Sequence, residues 1–271
     1  MLITTKTPEY ILSELTLSGK NRVHLLLEGE FDLNFWKNKI NPDINIIYCG
    51  GKETIKKVIH KNTEFKIIAI LDQDYCLFKK ETARHSNIIY TDYNDLETTL
   101  LSLGIIDNLI DSYCNKEKIC DNGINCNDIK SILNEAFIMG QLRYIDSMKD
   151  LHAPFESKLS IGKYYNNGRF EKEKLYQDFC QHTNISGEDL EEQITNIPKC
   201  NVWLLLQGHD CIKVLNRFII KYKSTSYPRK FDTADILTPL VGNKYKETTM
   251  VHDIQEWGRK NNIIIIRSSN S

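Results

Sequence analysis

The acidic residues of the first hundred positions are spaced in a way that points to a divalent metal ion. LLLEGEFD at 25–32 places Glu28, Glu30 and Asp32 directly behind an apolar run, and LDQD at 71–74 places Asp72 and Asp74 behind another. Asp92, Asp95 and Glu97 follow a third. Carboxylate oxygens are hard ligands, and a few of them, with water and substrate completing the shell, suit Mg²⁺ or Mn²⁺. An ion held this way neutralises charge on the attacking and leaving oxygens of a phosphodiester and lowers the pKa of a bound water. The chemistry expected is therefore the cutting or rejoining of phosphodiester bonds. A plainer alternative is that such acids cap the helices that follow them, an effect of about 0.3–1 kcal/mol each. That alternative serves Asp32, Asp92 or Asp95 singly. It serves Glu28 less well, because Glu28 ends a buried strand directly. It serves Asp72 with Asp74 least, because two like charges this close need compensation.

Strands and helices alternate around these acids. Val23–Leu27 is all apolar apart from His24, as in a strand covered on both faces. Further strands are expected at 44–48, 66–71 and 87–90, and helices at 32–39, 52–61 and 94–103. This is the pattern of an open, mostly parallel α/β sheet with flanking helices. In such sheets ligands gather outside the carboxyl ends of the strands, where strand order reverses. If strands one and three are neighbours, Glu28 and Asp72 come within a metal's reach of each other. Beyond Gly104 the chain turns helical, with helices expected at 105–113, 128–139, 171–182, 187–195 and 210–221, and N-caps at Asn127 and Ser186. The apolar run at 202–206 is expected to return to the sheet as a fifth strand, and NIIII at 262–266 to be a terminal strand. The organisation expected is an α/β core at 1–103, a mainly helical insertion at 104–200 and a C-terminal part at 201–271 that rejoins the core.

Four segments in this order, LLLEGEFDLNFW, CGGKETIKKVI, AILDQDY and TDYNDLETTLL, together with Gly208-His209-Asp210, resemble the TOPRIM-like family first catalogued as a bacterial domain of unknown function. The resemblance covers about residues 20–103 and is nearest to the TOPRIM effectors of PARIS-type anti-phage systems. It implies a TOPRIM-like parallel sheet with Glu28, Asp72 and Asp74 as catalytic metal ligands and Asp32 and Glu97 as supporting acids. It also implies a Mg²⁺- or Mn²⁺-dependent nuclease acting as a toxic effector, controlled by an ABC-type ATPase partner, with host tRNA among the substrates. His209 enters on the same ground, as a proton shuttle or phosphate contact. Most lone histidines are structural.

The formal net charge is −1, from 35 basic and 36 acidic residues, so contact with nucleic acid requires a local patch. Between Cys211 and Phe231 lie Lys213, Arg217, Lys221, Lys223, Arg229 and Lys230 with no acid, interleaved with Tyr222, Tyr227 and Phe231. Phosphate attraction combined with rings for stacking makes this the candidate nucleic-acid track, and a solvated helix face accounts for the same charges. Lys158, Lys163 and Arg169 around Tyr164-Tyr165 form a weaker second candidate. Gly50-Gly51-Lys52 opens a helix whose N-terminus attracts phosphate, so Lys52 joins the nucleic-acid set; a tight turn without ligand explains the glycines as well. The motif is not a Walker loop, which needs Lys-Ser/Thr.

The eight cysteines contain no CxxC pair, so they are read as reduced thiols and given no metal. No apolar run is long enough to span a bilayer and the start lacks a leader's apolar core, so a cytoplasmic protein is expected. A homodimer is compatible with all of this. No tyrosine is placed by motif as a covalent nucleophile, which favours hydrolysis over rejoining. Two other functions fit less of the sequence. A haloacid-dehalogenase-type phosphatase would use the first Asp of the Asp-x-Asp pair as nucleophile and leave Glu28 idle. A TOPRIM module serving only for assembly with an ATPase would have no use for the full acidic set.

Overall fold

The computed structural model describes residues 6–79, 85–125, 128–166, 169–223 and 233–267, and the side chains of all of these except 233–236. Cys126, Asn127, Tyr227, Arg229, Lys230 and Phe231 lie outside the described residues. The elements run α1 (Pro8–Ser18), β1 (Val23–Leu27), α2 (Glu30–Trp36), β2 (Asn45–Tyr48), α3 (Lys52–Lys61), β3 (Lys66–Leu71), α4 (Cys76–Lys79), β4 (Ile88–Tyr90), α5 (Leu96–Leu101), α6 (Ile105–Tyr113), α7 (Lys116–Asp121), α8 (Ile129–Ile132), α9 (Asn134–Lys149), β5 (Tyr165–Asn166), β6 (Arg169–Phe170), α10 (Lys172–Thr183), α11 (Gly187–Thr195), α12 (Gly208–Tyr222), α13 (Thr233–Val241) and α14 (Thr249–Lys260). They form two compact units. The first gathers the described residues of 1–74, 81–99 and 234–271, and the second those of 75–80 and 100–233.

The first unit is built on a four-stranded, all-parallel sheet in the order β2-β1-β3-β4. All five residues of β1 and five of the six in β3 are buried, which is why these runs read as continuous apolar stretches. Alternate residues face opposite ways. Leu26, Ile47, Ile67, Ala69 and Leu71 form one core with Ile11 and Leu15 of α1 and Ile55, Val58 and Ile59 of α3. Elsewhere in the unit Phe35 and Trp36 of α2 meet Tyr245 edge-on, with ring centroids 5.6 and 6.0 Å apart. Helix α14 is tied to the loop before β4 by Trp257 Nε1, which donates to Asn87 Oδ1 at 3.1 Å.

The second unit is helical apart from the short β5–β6 hairpin. Helix α9 carries Gly140 in its middle because the backbone carbonyl of Leu205 lies where a Cβ would project. Tyr75 Oη donates to that same Leu205 carbonyl at 3.2 Å.

Several expectations are corrected. The apolar run 202–206 is no strand: Val202–Leu204 forms a 3₁₀ turn, with Leu205 N donating to Val202 O at 3.0 Å and the Asn201 side chain accepting from Trp203 N at 3.2 Å. A short apolar run does not by itself distinguish a strand from a buried helical turn, and here Asn201 supplies a local cap. The residues of 202–206 belong to the second unit, and those from 234 on to the first. NIIII at 262–266 is not a terminal strand either. It makes one antiparallel bridge, Ile40↔Ile266, beside the turn after α2, with Asn41 N donating to Ile265 O at 2.8 Å. The helix expected from 128 is divided into α8 and α9, and Asp128 caps α8 by accepting from Lys130 N. Ser186 caps α11 as expected. No disulfide occurs among the described residues, and Cys49, Cys114 and Cys211 are buried thiols. Among the described residues no helix is long and apolar enough to cross a membrane.

Candidate metal centre

The parallel register of β1 and β3 brings their carboxyl ends side by side, with Leu27 opposite Ile70. The next residues out are acidic, and one of them makes the join: Glu28 Oε1 accepts from the backbone N–H of Asp72 at 2.7 Å, across 44 residues of chain. The two N–H groups that follow are also held. Gln73 N donates to Thr91 Oγ1 at 3.1 Å and Asp74 N to Asn94 O at 3.1 Å. The Asp-Gln-Asp turn is thus pinned at three successive residues, and Asp74 takes a left-handed φ of 42° there.

Burial and mutual repulsion act on the same acids. The Glu28 carboxyl is raised to about 7, chiefly by burial and further by the charges of Asp74 and Asp32, while the Asp72 N–H bond and Lys52 oppose the rise. Asp32 is raised to about 6, again chiefly by burial, with its bond to Gly29 N opposing and Asp95 adding to the rise. Asp72 is pushed well above the carboxylate range by burial and then by Asp95, Asp32, Glu28 and Asp74. Glu97 is pushed up by burial and then by Asp95. Five sequence-predicted acids therefore share one electrostatic neighbourhood at one edge of the sheet, and an all-oxygen donor set short of positive charge fits a hard divalent cation.

The ligand atoms of these acids do not converge on a single point. Among the described residues, the group of three whose ligand atoms lie within 4.8 Å of one another is His252, Asp253 and Glu256 of α14. There Glu256 already pairs with Lys260 at 2.8 Å, and the other two residues are exposed. At the strand ends one oxygen each of Glu28 and Asp32 is turned onto a backbone donor, Asp72 N and Gly29 N respectively. Asp32 is thus both a helix cap, at 2.9 Å from Gly29 N, and a member of the acidic group.

For two neighbouring acids capping explains what is seen. Both oxygens of Asp92 accept from the first turn of α14, from Thr249 N at 2.8 Å and Met250 N at 2.7 Å. Asp95 is buried and accepts from Thr98 N at 2.7 Å and Thr98 Oγ1 at 2.8 Å. Asp92 caps a helix some 157 residues further along the chain rather than the one that follows it, a relation with no trace in local spacing.

Lys52 was expected to meet phosphate, and the structure places it against the acids. Gly50 and Gly51, at φ 75° and 145°, start α3 so that Lys52 Nζ donates to the Asp72 carbonyl at 2.7 Å and lies 3.4 Å from Asp74 Oδ2.

His209, Lys213, Arg217, Lys221 and Lys223 belong to the second unit. His209 does not follow a strand; it lies in the first turn of α12, which the preceding 3₁₀ turn leads into. Spaced four apart, His209, Lys213, Arg217 and Lys221 are exposed along one face of α12. Arg217 lies 4.0 Å from the ring centroid of Tyr165. Sequence reasoning missed Arg143, a lone arginine within α9. Its Nε donates to Asp210 Oδ2 at 2.9 Å, its Nη2 lies 2.9 Å from His209 Nε2, and Asp210 is 1% exposed. The His209 side chain is 47% exposed, and burial of the part of the ring covered by its neighbours, with Arg143 and Lys213 adding to it, lowers its pKa against the opposing charge of Asp210. Arg143→Met is expected to destabilise the second unit by about 3–5 kcal/mol, because it takes the guanidinium from a buried Asp210 carboxylate that keeps the His209 ring 3.3 Å from its Oδ1. Urea denaturation of both proteins reads this directly, and a loss under about 1 kcal/mol contradicts it.

No protein-family model matches the chain, and no curated protein matches its sequence.

Proposed function

We propose that this chain is a metal-dependent endonuclease that hydrolyses phosphodiester bonds in nucleic acid, on a sheet of TOPRIM-like type. The observation that carries the reading is the Glu28–Asp72 contact at the β1–β3 seam, which gathers Glu28, Asp72 and Asp74 at the edge where parallel sheets bind ligands. Mg²⁺ or Mn²⁺ bound there supplies positive charge to the phosphate oxygens and activates a water. The protein's part is to hold the ligands still. The Asp-Gln-Asp turn is fixed by three backbone bonds, and Glu28 and Asp32 each keep a second oxygen for the ion. Hydrolysis adds water to phosphorus, breaks one ester bond and leaves the water's proton on the departing oxygen. A phosphatase working through Asp72 alone would not require Glu28 to be bound to the nucleophile's own backbone.

The resemblance to the PARIS-type effectors supports a biological setting for the chain: a toxic effector of anti-phage defence, cytoplasmic, held by an ABC-type ATPase partner, with host tRNA among the candidate substrates. The test is incubation of the purified protein with plasmid, single-stranded DNA and total tRNA, with and without Mg²⁺ and with and without the partner. Cutting that requires the metal supports the reading, and no cutting under any of these conditions overturns it.

The exposed cations of α12 are proposed as a phosphate-binding face. Lys213→Ala and Arg217→Ala are each expected to flatten the dependence of log K on log salt by about 0.7–0.9 for a fluorescent oligonucleotide. An unchanged slope removes α12 from the substrate path.

A further inference from the structure

We infer that the Lys52 ammonium fills the place of a second metal ion, so that the strand-end acids take one divalent cation per chain. The inference rests on the proposed metal centre and concerns how many ions that centre holds.

The strand order makes the position of Lys52 informative. It begins the helix after β2, whereas Asp72 and Asp74 follow β3, and β1 lies between those two strands. β2 and β3 stand two strand spacings apart, about 9–10 Å, which is more than a lysine side chain spans, so α3, whose Ile55, Val58 and Ile59 pack on β1 and β3 residues, carries Lys52 part of the way. Nζ then donates to the backbone carbonyl of Asp72 at 2.7 Å and sits 3.4 Å from Asp74 Oδ2. The Lys52 side chain is only 14% exposed, and the Tyr90 ring centroid lies 5.7 Å from Nζ. Lysine stems commonly lie along apolar surface with the ammonium in water, whereas here the ammonium itself is bonded to protein oxygens.

The partners of Lys52 bear on the metal. Its ammonium is bonded to the carbonyl of Asp72 and lies beside the carboxylate of Asp74. The Asp72 carboxylate and the second oxygen of Glu28 would hold the ion. In two-metal phosphoryl-transfer sites the ions stand about 3.5–4 Å apart and clamp the reacting oxygens from both sides. A second divalent ion on Asp74 would have to sit against the ammonium and be repelled by it. A lysine is itself a compact point charge that serves as a phosphate binder elsewhere. One ion and one ammonium then provide the two positive centres.

The test is calorimetric titration of Mn²⁺ into the intact chain at pH 8, for the wild type, Lys52→Met, Lys52→Gln, Lys52→Arg and Glu28→Gln, with folding of each checked by circular dichroism. One ion is expected to bind the wild type and Lys52→Arg, and two ions the neutral variants, whose Mn²⁺ spectra should show an exchange-coupled pair. Glu28→Gln should weaken binding by at least about 10²-fold. Two ions in the wild type, or one ion in both folded neutral variants, overturns this assignment and leaves the metal-centre reading standing. No Mn²⁺ bound, or binding that Glu28→Gln leaves unchanged, overturns that reading and the assignment with it.

Discussion

Glu28→Gln is expected to lower metal-dependent cleavage by at least about 10³-fold, roughly 4 kcal/mol of barrier, while making the metal-free protein more stable at pH 8. The opposite signs have one cause. Glutamine keeps an oxygen that can accept from Asp72 N, so the β1–β3 seam is preserved. It removes a carboxylate that burial and its acidic neighbours raise to about 7, and hence a charge the folded state holds unwillingly at pH 8. At about 1.36 kcal/mol per pKa unit, the gain is on the order of 1–3 kcal/mol. Repulsion of this kind is what a cluster of carboxylates carries and what a divalent ion relieves. A purely structural Glu28 would show the same pH-dependent gain in stability and no effect on cleavage, so cleavage is the readout that separates the two. Cleavage assays and thermal melts of the same two preparations decide the matter. A Glu28→Gln protein that cuts normally ends the nuclease assignment of this centre.

The second large effect concerns acidity. Glu28 and Asp32 have folded pKa values near 7 and 6, above their ordinary values of 4.5 and 3.8. A carboxyl whose pKa is raised by folding binds its proton more tightly in the native state. Its contribution to stability is present in full below the ordinary value and is lost as pH rises through the folded one. Without metal, stability is therefore expected to fall between about pH 4.5 and 7, by an amount on the order of a few kcal/mol, which is roughly 5–10 °C in melting temperature for a chain of this size. Buried His24, whose pKa burial lowers, pulls the other way as pH falls, so the variants carry the test. Glu28→Gln with Asp32→Asn should remove much of the slope. Mg²⁺ should raise the melting temperature at pH 8 and have little effect at pH 5, because protons and the ion compete for the same oxygens. At a metal concentration of about 100 times Kd the gain is about 2.7 kcal/mol. Equal stabilisation by Mg²⁺ at both pH values would mean that the ion binds elsewhere.

Much of the first unit could be read directly from residue order. The apolar runs at 23–27 and 66–71 are the central strands, and the glycines before Lys52 start a helix, because burial on both faces and positive φ leave direct marks in residue type. The second unit was less legible. The apolar residues of 202–206 have the composition of a strand, but a local cap at Asn201 and the partners available made them a 3₁₀ turn. In the first unit the isoleucines of 262–266 misled for a related reason: β propensity says that a segment suits a pleated surface, not that a sheet edge waits for it. Among the acids, local spacing could not divide the metal candidates from Asp92, since Asp92 caps α14 through contacts that close a long loop.

By itself, the sequence determined that acids would stand at the carboxyl ends of buried parallel strands. The runs at 23–27 and 66–71 each precede a turn and alternate with amphipathic helical segments, and in that context they are buried strands whose following residues lie at the sheet edge. Only the tertiary structure decided which of those ends are neighbours. The order β2-β1-β3-β4 joins Glu28 to Asp72 across 44 residues, and α3 carries Lys52 to the same place. Strand pairing and side-chain reach are non-local: they are settled by which faces bury one another, and local spacing carries no record of the outcome. The acids behind the apolar runs are thus one group with a lysine among them, and the lysine's role is the part that sequence alone had assigned to phosphate.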